Sequence, residues 1–340
     1  MEAGRGVDRL SDYDFELPGA LIAQTPLADR AASRLLWLHR ESGKVEHRAF
    51  REVVQILQPG DLLVVNDTRV SAVRVKGRKA TGGAVEALLL HETGAGAYEA
   101  MVKPGRRLPS GTRIELAGLP ATVEGRGGLR TVRFDPHPEL RARLAALGET
   151  PLPPYIHERL ADAERYQTAY ATHEGSAAAP TAGLHFTDEI LSSLSEKGVG
   201  IARVTLHVGI DTFKPLQTEN LDEHRMHGEV CEVSEPVAEA VNRCMGRVVA
   251  VGTTTVRTLE TFATGPRQLS AGTRRSDLFI RPGFLFQIVD GMFTNFHLPR
   301  TTMLAMISAL GDYGAIRAAY DEALRERYRF LSFGDSMLIL

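Results

Sequence analysis

Cysteine and long apolar stretches are both scarce in this chain of 340 residues. Its two cysteines, Cys231 and Cys244, are too few and too far apart for a disulfide framework or a paired set of metal ligands. No apolar run approaches the roughly 18–20 residues that a membrane helix needs. Residues 1–11 carry charges of both signs and have no apolar core, which excludes a signal peptide. The sequence therefore predicts a cytoplasmic protein with reduced thiols and no membrane contact.

The chain also lacks a strong excess of charge of one sign, since its formal net charge is −2. Its composition as a whole does not predict nucleic-acid binding, which would have to come from local clusters. Two neighbouring stretches are nevertheless rich in arginine and lysine. A solvated strand face would show the same pattern, so charge alone leaves both interpretations open. The basic residues are Arg69, Arg74, Lys76, Arg78 and Lys79, and then Lys103, Arg106, Arg107 and Arg113.

Several signatures of enzyme classes are missing. The sequence has no G-x-S-x-G turn of a serine hydrolase, no H-E-x-x-H zinc helix, no C-x-x-C pair and no Walker A loop. The glycines at residues 124–128 do not match the dinucleotide-binding fingerprint. What is present is the composition of a globular protein, with 43% hydrophobic and 24% charged residues. The length suggests about two domains.

The stretch from residue 69 to residue 150 predicts a small antiparallel β-barrel. Short strand-like runs are separated there by glycine and proline turns such as Gly82-Gly83 and Pro104-Gly105, a pattern typical of small barrels. Both basic clusters lie in this stretch. The predicted strands are Val70–Val75, Ala84–His91, Tyr98–Val102, Arg113–Leu116, Ala121–Val123 and Leu129–Phe134.

Strands and helices alternate in the remaining sequence. This predicts a layered α/β domain built from residues 1–68 and 151–340, with the barrel inserted at residues 69–150. Thr187, followed by two acidic residues, predicts a helix N-cap. The predicted strands are Asp61–Asn66, Ile201–Val208, Arg247–Val251, Phe284–Val289 and Gly291–Asn295, and the predicted helices are Thr187–Glu196, Glu235–Met245, Thr254–Phe262, Thr302–Leu310 and Ala315–Tyr328.

The segment Pro180–Phe186, with the sequence PTAGLHF, is the first candidate site. Its small residues, above all Gly183, allow a ligand to approach the backbone closely. His185 and Phe186 then add an imidazole and an aromatic face just before a helix N-terminus, which favours anionic groups. An ordinary loop-to-helix junction with a hydrogen-bonded histidine has the same pattern, so the residues alone leave both interpretations open.

Two histidines stand at predicted strand ends, the place where α/β sheets bind ligands. His207 lies at the end of one strand, just before Gly209 and Asp211, and His297 follows Asn295 at the end of another. For His207, a histidine of the protein core is the competing interpretation.

A run of three threonines, Thr253–Thr255, comes directly after a buried strand and opens a helix that also carries Arg257. Three hydroxyls and the free N–H groups of a helix start can hold a carboxylate or a phosphate. Simple N-capping by Thr253 or Thr254 explains the same residues.

Two shorter motifs complete the candidate set. His224 and His227 have an H-x-x-H spacing, but no third metal ligand is evident nearby, so substrate contact or acid–base work is the better interpretation. Gly334-Asp335 lies near the end of the chain between apolar flanks. Such flanks predict a docked segment rather than a frayed terminus.

Taken together, these segments resemble the S-adenosylmethionine:tRNA ribosyltransferase-isomerase family of queuosine biosynthesis. The matching pieces run in order through nearly the whole chain and rarely occur together elsewhere. They are Tyr13–Pro18, Pro59–Asn66 with Asp67–Val70, Gly77–Lys79 with Gly82-Gly83, Pro151–Ile156, Arg165–Thr168, Ala179–Phe186, Thr205–Gly209, Thr212-Phe213, Val251–Arg257, Asn295–Pro299 and Tyr328–Met337.

The resemblance implies an unusual activity. S-adenosylmethionine donates its ribosyl part rather than its methyl group, and the acceptor is 7-aminomethyl-7-deazaguanine at the wobble position of tRNA. Adenine and methionine leave, and the ribose rearranges to the epoxycyclopentane of epoxyqueuosine. The resemblance also implies an α/β domain with an inserted β-barrel, and tRNA as the partner. We expect no metal, no permanently bound cofactor and a monomer.

The resemblance and this chemistry also imply roles for individual residues. The sulfonium acidifies the adjacent ribose C–H, so a base must remove this proton. Phe186 is expected to stack on a base, and Thr253, Thr254 and Thr255 to hold the methionine carboxylate or a tRNA phosphate. The candidate bases are, in order, His185, His207, His227 and His297; further substrate contacts are Thr181, Gly183, Gly209, Asp211, Arg257, Asn295 and Asp335; and tRNA phosphates are expected on Arg69, Arg74, Lys76, Arg78, Lys79, Lys103, Arg106 and Arg107.

The sequence departs from the family pattern at three places. Gly228 stands where serine is usual, Ile210-Asp211 where Leu-Gly or Ala-Gly is usual, and Ser71-Ala72 where Ile-Pro is usual. Asp211 and Gly228 motivate one alternative, the same chemistry on a deazapurine acceptor other than tRNA. A second alternative is a non-catalytic RNA-binding protein on this fold. It predicts decay of the histidine and threonine motifs, which are intact.

Overall fold

The computed structural model describes residues 7–209, 218–226 and 228–340. Contacts divide the chain into two compact units. Unit 1 comprises Met1–Thr68, Pro154–His173 and Pro180–Leu340, and unit 2 comprises Arg69–Pro153 and Glu174–Ala179. The domain boundaries proposed from the sequence, at residues 68 and 151, stay a prediction.

The secondary structure is numbered along the chain. The strands are β1 (Arg34–Leu38), β2 (Val45–Ala49), β3 (Leu62–Asn66), β4 (Thr68–Val70), β5 (Val73–Lys79), β6 (Ala84–Gly94), β7 (Ala97–Lys103), β8 (Thr112–Leu116), β9 (Leu119–Glu124), β10 (Arg130–Phe134), β11 (His173–Ser176), β12 (Gly200–Leu206), β13 (Glu229–Val233), β14 (Val248–Val251), β15 (Ala263–Gly265), β16 (Gln268–Leu269), β17 (Gly272–Ser276), β18 (Gly291–Asn295) and β19 (Ser336–Ile339). The α-helices are α1 (Val53–Ile56), α2 (Leu140–Leu147), α3 (Asp188–Glu196), α4 (Glu235–Arg243), α5 (Thr253–Phe262), α6 (Thr302–Gly311) and α7 (Tyr313–Arg325).

In the described part of unit 1, nine strands form one sheet in the order β17-β13-β12-β3-β14-β18-β19-β1-β2. The pairs β12–β3, β3–β14 and β14–β18 are parallel, so these four central strands run the same way. β19 pairs antiparallel with β18 and parallel with β1. The carboxyl ends of the four central strands and the amino ends of β19 and β1 therefore share one edge of the sheet, which we name the carboxyl edge.

Apolar residues on both faces of the central strands form the core of unit 1. Leu62–Asn66 is buried at every position, as expected for a central parallel strand that is covered on both sides. α3 begins as predicted, because the Thr187 hydroxyl accepts a hydrogen bond from the N–H of Ile190. Ile190, Leu191 and Leu194 on this helix then pack into the core.

The predicted strand Phe284–Val289 is wrong. The carboxylate of Glu260 on α5 accepts hydrogen bonds from the backbone N–H groups of Gln287 (2.9 Å), Ile288 (3.1 Å) and Val289 (2.9 Å). These amides are therefore not available to a strand ladder. Burial raises the pKa of Glu260, and the three N–H donors compensate for the loss of water around its carboxylate.

Unit 2 contains the predicted barrel, which closes in the order β10-β7-β6-β5-β8-β9. Residues alternate between the two faces of each strand, so Val75 is buried while Lys76 and Arg78 of β5 are exposed. Gly77 lies where β5 meets β8, and a Cβ there would lie 1.7 Å from the carbonyl oxygen of Glu115. The predicted fold class, α/β with a small antiparallel β-barrel, is confirmed.

Three observations bear on ligands and location. None of the helices in the described ranges is both long and apolar enough to cross a membrane. Those ranges also hold no group of three His, Cys, Asp or Glu side chains that could bind a metal ion. Cys231 and Cys244 are both free thiols.

Candidate active site

The carboxyl edge gathers polar side chains from segments that are far apart in the sequence. The 3-10 helix Thr181–His185 lies over the end of β14, because a Cβ on Gly252 would lie 3.5 Å from the Cβ of Ala182. In open α/β sheets, ligands bind beyond the strand ends at such an edge. The polar residues there are Asn66 at the end of β3, His207 after β12, Thr253 after β14 and Asn295 at the end of β18.

His185 is enclosed, with 5% of its surface exposed. Its Nδ1 lies 2.8 Å from Oγ of Ser33, and its Nε2 lies 3.2 Å from Nδ2 of Asn295. An amide nitrogen only donates hydrogen bonds, so Nε2 accepts and Nδ1 carries the ring proton. The Ser33 hydroxyl accepts this proton's hydrogen bond and donates in turn to the carbonyl of Arg30, at 3.3 Å.

Burial keeps His185 a neutral imidazole. Burial, assisted by the positive charges of Arg30 and Arg329, lowers the pKa of His185 to about 3. The ring also lies against Phe50 at a centroid distance of 5.0 Å. At neutral pH the ring is uncharged and both nitrogens are engaged within the protein, which favours a positioning role over proton removal.

Thr181 and Gly183 surround this histidine. The Thr181 hydroxyl donates to Oδ1 of Asn295 at 3.2 Å, so the amide of Asn295 is fixed from both ends. A Cβ on Gly183 would lie 2.0 Å from the hydroxyl oxygen of Tyr170 and 2.9 Å from Cγ2 of Thr168. Gly183 is therefore required by packing inside the protein.

Replacing Gly183 by alanine is expected to lower the free energy of unfolding by about 1–3 kcal/mol, because the added methyl group overpacks the space against Tyr170. Gly19→Ala is the matched control, since nothing lies within 4 Å of a Cβ at that position, and its effect should stay below about 0.5 kcal/mol. Urea denaturation followed by circular dichroism measures both variants. Equal stability of the two would contradict the packing explanation.

The predicted stacking of Phe186 on a base is wrong. Its side chain is fully buried and makes edge-to-face contacts with Phe50 and Phe293, at centroid distances of 4.9 and 5.4 Å. It belongs to the core of unit 1. Phe186 therefore anchors the 3-10 helix Thr181–His185 to the core and does not face a ligand.

Asn66 connects three segments of the carboxyl edge, although it was not among the residues predicted for the site. Its Oδ1 accepts from the N–H groups of Leu206 (3.1 Å) and Thr68 (3.2 Å). Its Nδ2 donates to the carbonyl of Leu206 (3.0 Å) and to the hydroxyl of Thr254 (3.2 Å). One buried amide therefore holds together the ends of β3 and β12 and the start of α5.

The anion site predicted at Thr253–Thr255, which we name the threonine cradle, is smaller than expected. The Thr255 hydroxyl donates to the carbonyl of Val251 at 2.7 Å, and the Thr254 hydroxyl contacts Asn66. The N-cap position is Gly252, at φ +87°, and no side chain of the described residues caps α5. Half-buried Thr253 and the first N–H groups of α5 remain as the part of the cradle that can face a ligand.

His207 belongs to a second polar network. Its Nδ1 lies 2.8 Å from Oγ1 of Thr68, which also lies 3.4 Å from the carbonyl oxygen of His173. When Thr68 donates its proton to that carbonyl, it accepts from Nδ1–H of His207, and the basic lone pair of His207 is then on Nε2. The adjacent buried carboxylate of Asp67 accepts from the Thr205 hydroxyl at 2.7 Å. His207 is half-buried, which leaves it more accessible than His185.

Gly209 and Arg257, both predicted substrate contacts, meet at a buried carboxylate. Glu229 accepts from the N–H of Gly209 at 2.8 Å and pairs with Nη1 of Arg257 at 2.6 Å, and both charged side chains are 9% exposed. Nη2 of Arg257 donates to the carbonyl of Ser276 at 3.1 Å. The guanidinium is therefore engaged by Glu229 and Ser276, and the pair fixes the backbone just after His207.

His297 is half-buried beside α7. Its Nε2 lies 2.7 Å from Oγ1 of Thr294, and its backbone N–H donates to the hydroxyl of Tyr320 on α7 at 2.9 Å. Burial lowers the pKa of His297 to about 4. The histidine is thus neutral at pH 7 and connects the end of β18 to α7.

Asp335 closes the C-terminal turn. Its carboxylate accepts from the backbone N–H of Arg34 at 2.9 Å and from that of Arg329 at 2.8 Å, and it is 2% exposed. β19 follows at once and pairs with β1 and β18, so the predicted docking of the C-terminal segment is confirmed. Because both oxygens of Asp335 are used by backbone amides, the geometry disfavours contact with a substrate.

The basic residues of unit 2 differ in their partners. Arg69 is half-buried, and Lys79 donates to the carbonyl of Arg107 at 3.4 Å. Arg78 and Arg107 are exposed, and no carboxylate among the described residues pairs with either. Pairs with carboxylates in the two basic clusters include Arg74–Glu86 (3.8 Å), Lys103–Glu86 (3.9 Å), Lys76–Glu149 (3.2 Å) and Arg113–Asp135 (2.6 Å).

His227 and Asp211 lie outside the described residues, as does the side chain of Arg106. At Gly228, one of the departures from the family pattern, a Cβ would lie 2.2 Å from Nε of Arg275. Arg275 is exposed, so its flexible side chain can move to admit a serine at this position.

Comparison with known proteins places the chain in a family. A family model described as "queuosine biosynthesis protein" matches residues 10–339. The chain belongs to this family. The S-adenosylmethionine:tRNA ribosyltransferase-isomerases of Symbiobacterium thermophilum and Carboxydothermus hydrogenoformans are each 50% identical to it over 340 residues, which cover 98% of this chain and 100% of each relative.

A solved structure agrees with this placement. The crystal structure of S-adenosylmethionine tRNA ribosyltransferase from Thermotoga maritima is 38% identical to the chain and has a TM-score of 0.57. The match covers 97% of this chain and 100% of that one. The family predicted from the sequence is therefore confirmed.

Proposed function

We propose that this chain transfers and isomerises the ribosyl moiety of S-adenosylmethionine onto 7-aminomethyl-7-deazaguanine at the wobble position of tRNA. Adenine and methionine leave, and epoxyqueuosine-tRNA forms. The full-length match to the queuosine family supports this enzyme over a non-catalytic RNA-binding protein. The shared carboxyl edge, where four strands end in polar residues, supports this location of the active site. We place the enzyme in the cytoplasm, as a monomer without a permanent cofactor.

His207 is the base in this proposal. The reaction needs a group that removes a proton from the ribose carbon next to the sulfonium. His185 suits this task poorly, because both of its ring nitrogens are engaged within the protein and its pKa is about 3. His207 lies half-buried at a strand end, more accessible than His185, and its Nδ1 lies 2.8 Å from Oγ1 of Thr68.

His185 has a positioning role in this proposal. It fixes Asn295, whose other end is fixed by Thr181. An amide nitrogen carries two hydrogens, and His185 takes one of them. We assign the second hydrogen of Asn295 to the ribose or to the leaving adenine.

The start of α5 binds an anion in this proposal. The uncapped N–H groups of a helix start and its dipole favour negative charge, and Thr253 adds a hydroxyl. The methionine carboxylate and a tRNA phosphate both fit this chemistry.

Arg78 in unit 2 is expected to contact a tRNA phosphate, because it is exposed and no carboxylate among the described residues neutralises it. Arg78→Gln should reduce the slope of log K against log salt concentration by about 1. Lys76→Gln is the matched control, with a smaller change, since Glu149 already partners Lys76 at 3.2 Å. Filter binding of tRNA at several salt concentrations measures both. A wild-type slope for Arg78→Gln would contradict this contact.

A single incubation tests the proposed function. The protein is mixed with S-adenosylmethionine and tRNA that carries the deazaguanine precursor, and the digested nucleosides are analysed by mass. We expect epoxyqueuosine and an equal amount of adenine. Adenine released only with the free deazapurine base would favour another acceptor, and tRNA binding without turnover would favour a non-catalytic protein.

A further inference from the structure

A pocket within unit 1 opens beside His185 and Ser33. Its other polar side chains are those of Arg30, Arg165 and Ser332, and leucine, proline and phenylalanine side chains complete the walls. None of the described residues that line the pocket is acidic. The pocket therefore presents two guanidinium groups next to the histidine that positions Asn295.

Backbone carbonyl groups hold the two arginines in place. Arg30 donates to the carbonyl oxygens of Gln167 at 2.8 Å and Glu164 at 3.0 Å. Arg165 donates from both Nη atoms to the carbonyl groups of residues 27–28. The two bonds of each arginine use only part of its five N–H donors, and carbonyl oxygens do not neutralise the positive charges. In the described part of the chain, no carboxylate lies within ion-pair distance of either guanidinium.

The two cations also act on each other. Burial and then the charge of Arg165 lower the pKa of Arg30, and the carboxylates of Asp162 and Glu164 raise it by less. Two like charges in one half-buried pocket repel more strongly than they would in water. A bound anion would remove this repulsion.

A third guanidinium, that of Arg329, adds to the positive potential. Together with Arg30 it contributes to the low pKa of His185. Its Nη2 donates to the carbonyl of Thr25, whereas its buried Nη1 has no hydrogen-bond partner among the described residues. A buried donor without an acceptor is unfavourable until a ligand or water supplies one.

We propose that this pocket binds an oxyanion, with Arg30 and Arg165 as its charge partners. A guanidinium fork matches the two oxygens of a carboxylate or a phosphate. The inference rests on the proposed function, which supplies two such groups, the methionine carboxylate of S-adenosylmethionine and the phosphates of tRNA. A ligand in this pocket lies beside His185, and Nε2 of His185 in turn contacts Nδ2 of Asn295.

Three variants separate the charge of Arg30 from its contacts with carbonyl groups. Arg30→Gln removes the charge but keeps an amide that can donate to a carbonyl, whereas Arg30→Lys keeps the charge. Arg40→Gln is the matched control, because Arg40 also donates to backbone carbonyls, those of Leu310 and Asp290, beyond the opposite end of β1.

Calorimetry measures the binding of S-adenosylmethionine and of decarboxylated S-adenosylmethionine, and filter binding measures tRNA. If the carboxylate occupies the pocket, Arg30→Gln weakens S-adenosylmethionine binding about 10- to 100-fold. Arg30→Lys then weakens it less, and the decarboxylated compound is insensitive to either change. If a phosphate occupies it, S-adenosylmethionine binding is unchanged and the salt slope for tRNA falls by about 1. If Arg30→Gln binds S-adenosylmethionine with wild-type affinity and tRNA with the wild-type salt slope, the proposal is overturned.

A measurement on the wild-type protein covers the case in which Arg30→Gln does not fold. Phenylglyoxal modifies accessible arginines, and mass mapping should show protection of Arg30 and Arg165 by S-adenosylmethionine or by tRNA. Protection by neither overturns the proposal. Turnover of the same wild-type preparation separates the two claims. Absent turnover defeats the proposed function, whereas normal turnover with unaffected arginines defeats only the oxyanion pocket.

Discussion

Replacing His207 by alanine is expected to slow adenine release from S-adenosylmethionine about 10²–10⁴-fold, the usual contribution of a positioned general base. The loss follows because His207 is proposed to remove the proton that starts the reaction, and alanine leaves no base after β12. Single-turnover assays with saturating S-adenosylmethionine and substrate tRNA measure this step. Binding of tRNA, measured by filter retention, should stay unchanged.

Two other histidine variants make this result interpretable. His39→Ala removes a histidine beyond the opposite end of β1 and should be neutral. His185→Gln should slow the reaction less than His207→Ala, since its task is to position Asn295. A His207→Ala protein that releases adenine at the wild-type rate would contradict the assignment. If only the His185→Gln protein released adenine more slowly, His185 rather than His207 would be the base.

Replacing Glu229 by alanine is expected to lower the free energy of unfolding by about 3–5 kcal/mol. The variant leaves Arg257 charged and nearly buried without its carboxylate partner, and it also leaves the N–H of Gly209 without its acceptor. Urea denaturation of the wild type and the variant measures the difference. We expect activity to fall as well, because the backbone after His207 loses its anchor.

The control for this stability measurement is an exposed pair of the same kind. Glu239 and Arg243 lie one turn apart on α4 with side chains 60% and 80% exposed. Glu239→Ala should cost less than about 1 kcal/mol, because water screens such pairs. If Glu229→Ala and Glu239→Ala lowered the free energy of unfolding by similar amounts, burial would not determine how much the Glu229–Arg257 pair stabilises the protein.

The sequence predicted well the features that depend on residues close together in the chain. Short strand-like runs between glycine and proline turns identified the barrel strands, and the alternation of strands and helices identified β3, β12, β14 and β18. Since parallel strands end at one edge, the positions of His207, Thr253 and Asn295 followed from the pattern. The hydroxyl of Thr187 before α3 was likewise a local signal.

What failed depended on partners far along the chain. Phe186 was predicted to face a ligand, but its environment is set by Phe50 and Phe293. The predicted strand Phe284–Val289 did not form, because its amides bind the carboxylate of Glu260. Nothing in the local sequence indicates such distant pairings.

The same limit explains which site residues the sequence missed. Ser33 and Asn66 each contact a candidate residue more than 100 positions away, His185 and Thr254 respectively. Glu229 on β13 pairs with Arg257 on α5. The asparagine after the apolar run of β3 was visible, but its four hydrogen bonds were not. A motif therefore located the site, whereas only the structure separated the residues that face it from those that support it.

The central claim is that the ribosyl group of S-adenosylmethionine, not its methyl group, moves to tRNA at the carboxyl edge. Tracing of isotope labels tests this most directly. Wild-type protein is incubated with precursor tRNA and S-adenosylmethionine labelled with ¹³C either in the ribose or in the methyl group. We predict that the ribose label enters the tRNA nucleoside while the methyl label leaves with methionine, and that His207→Ala suppresses the transfer. Methyl label in the tRNA, or no ribose label there, would contradict the account.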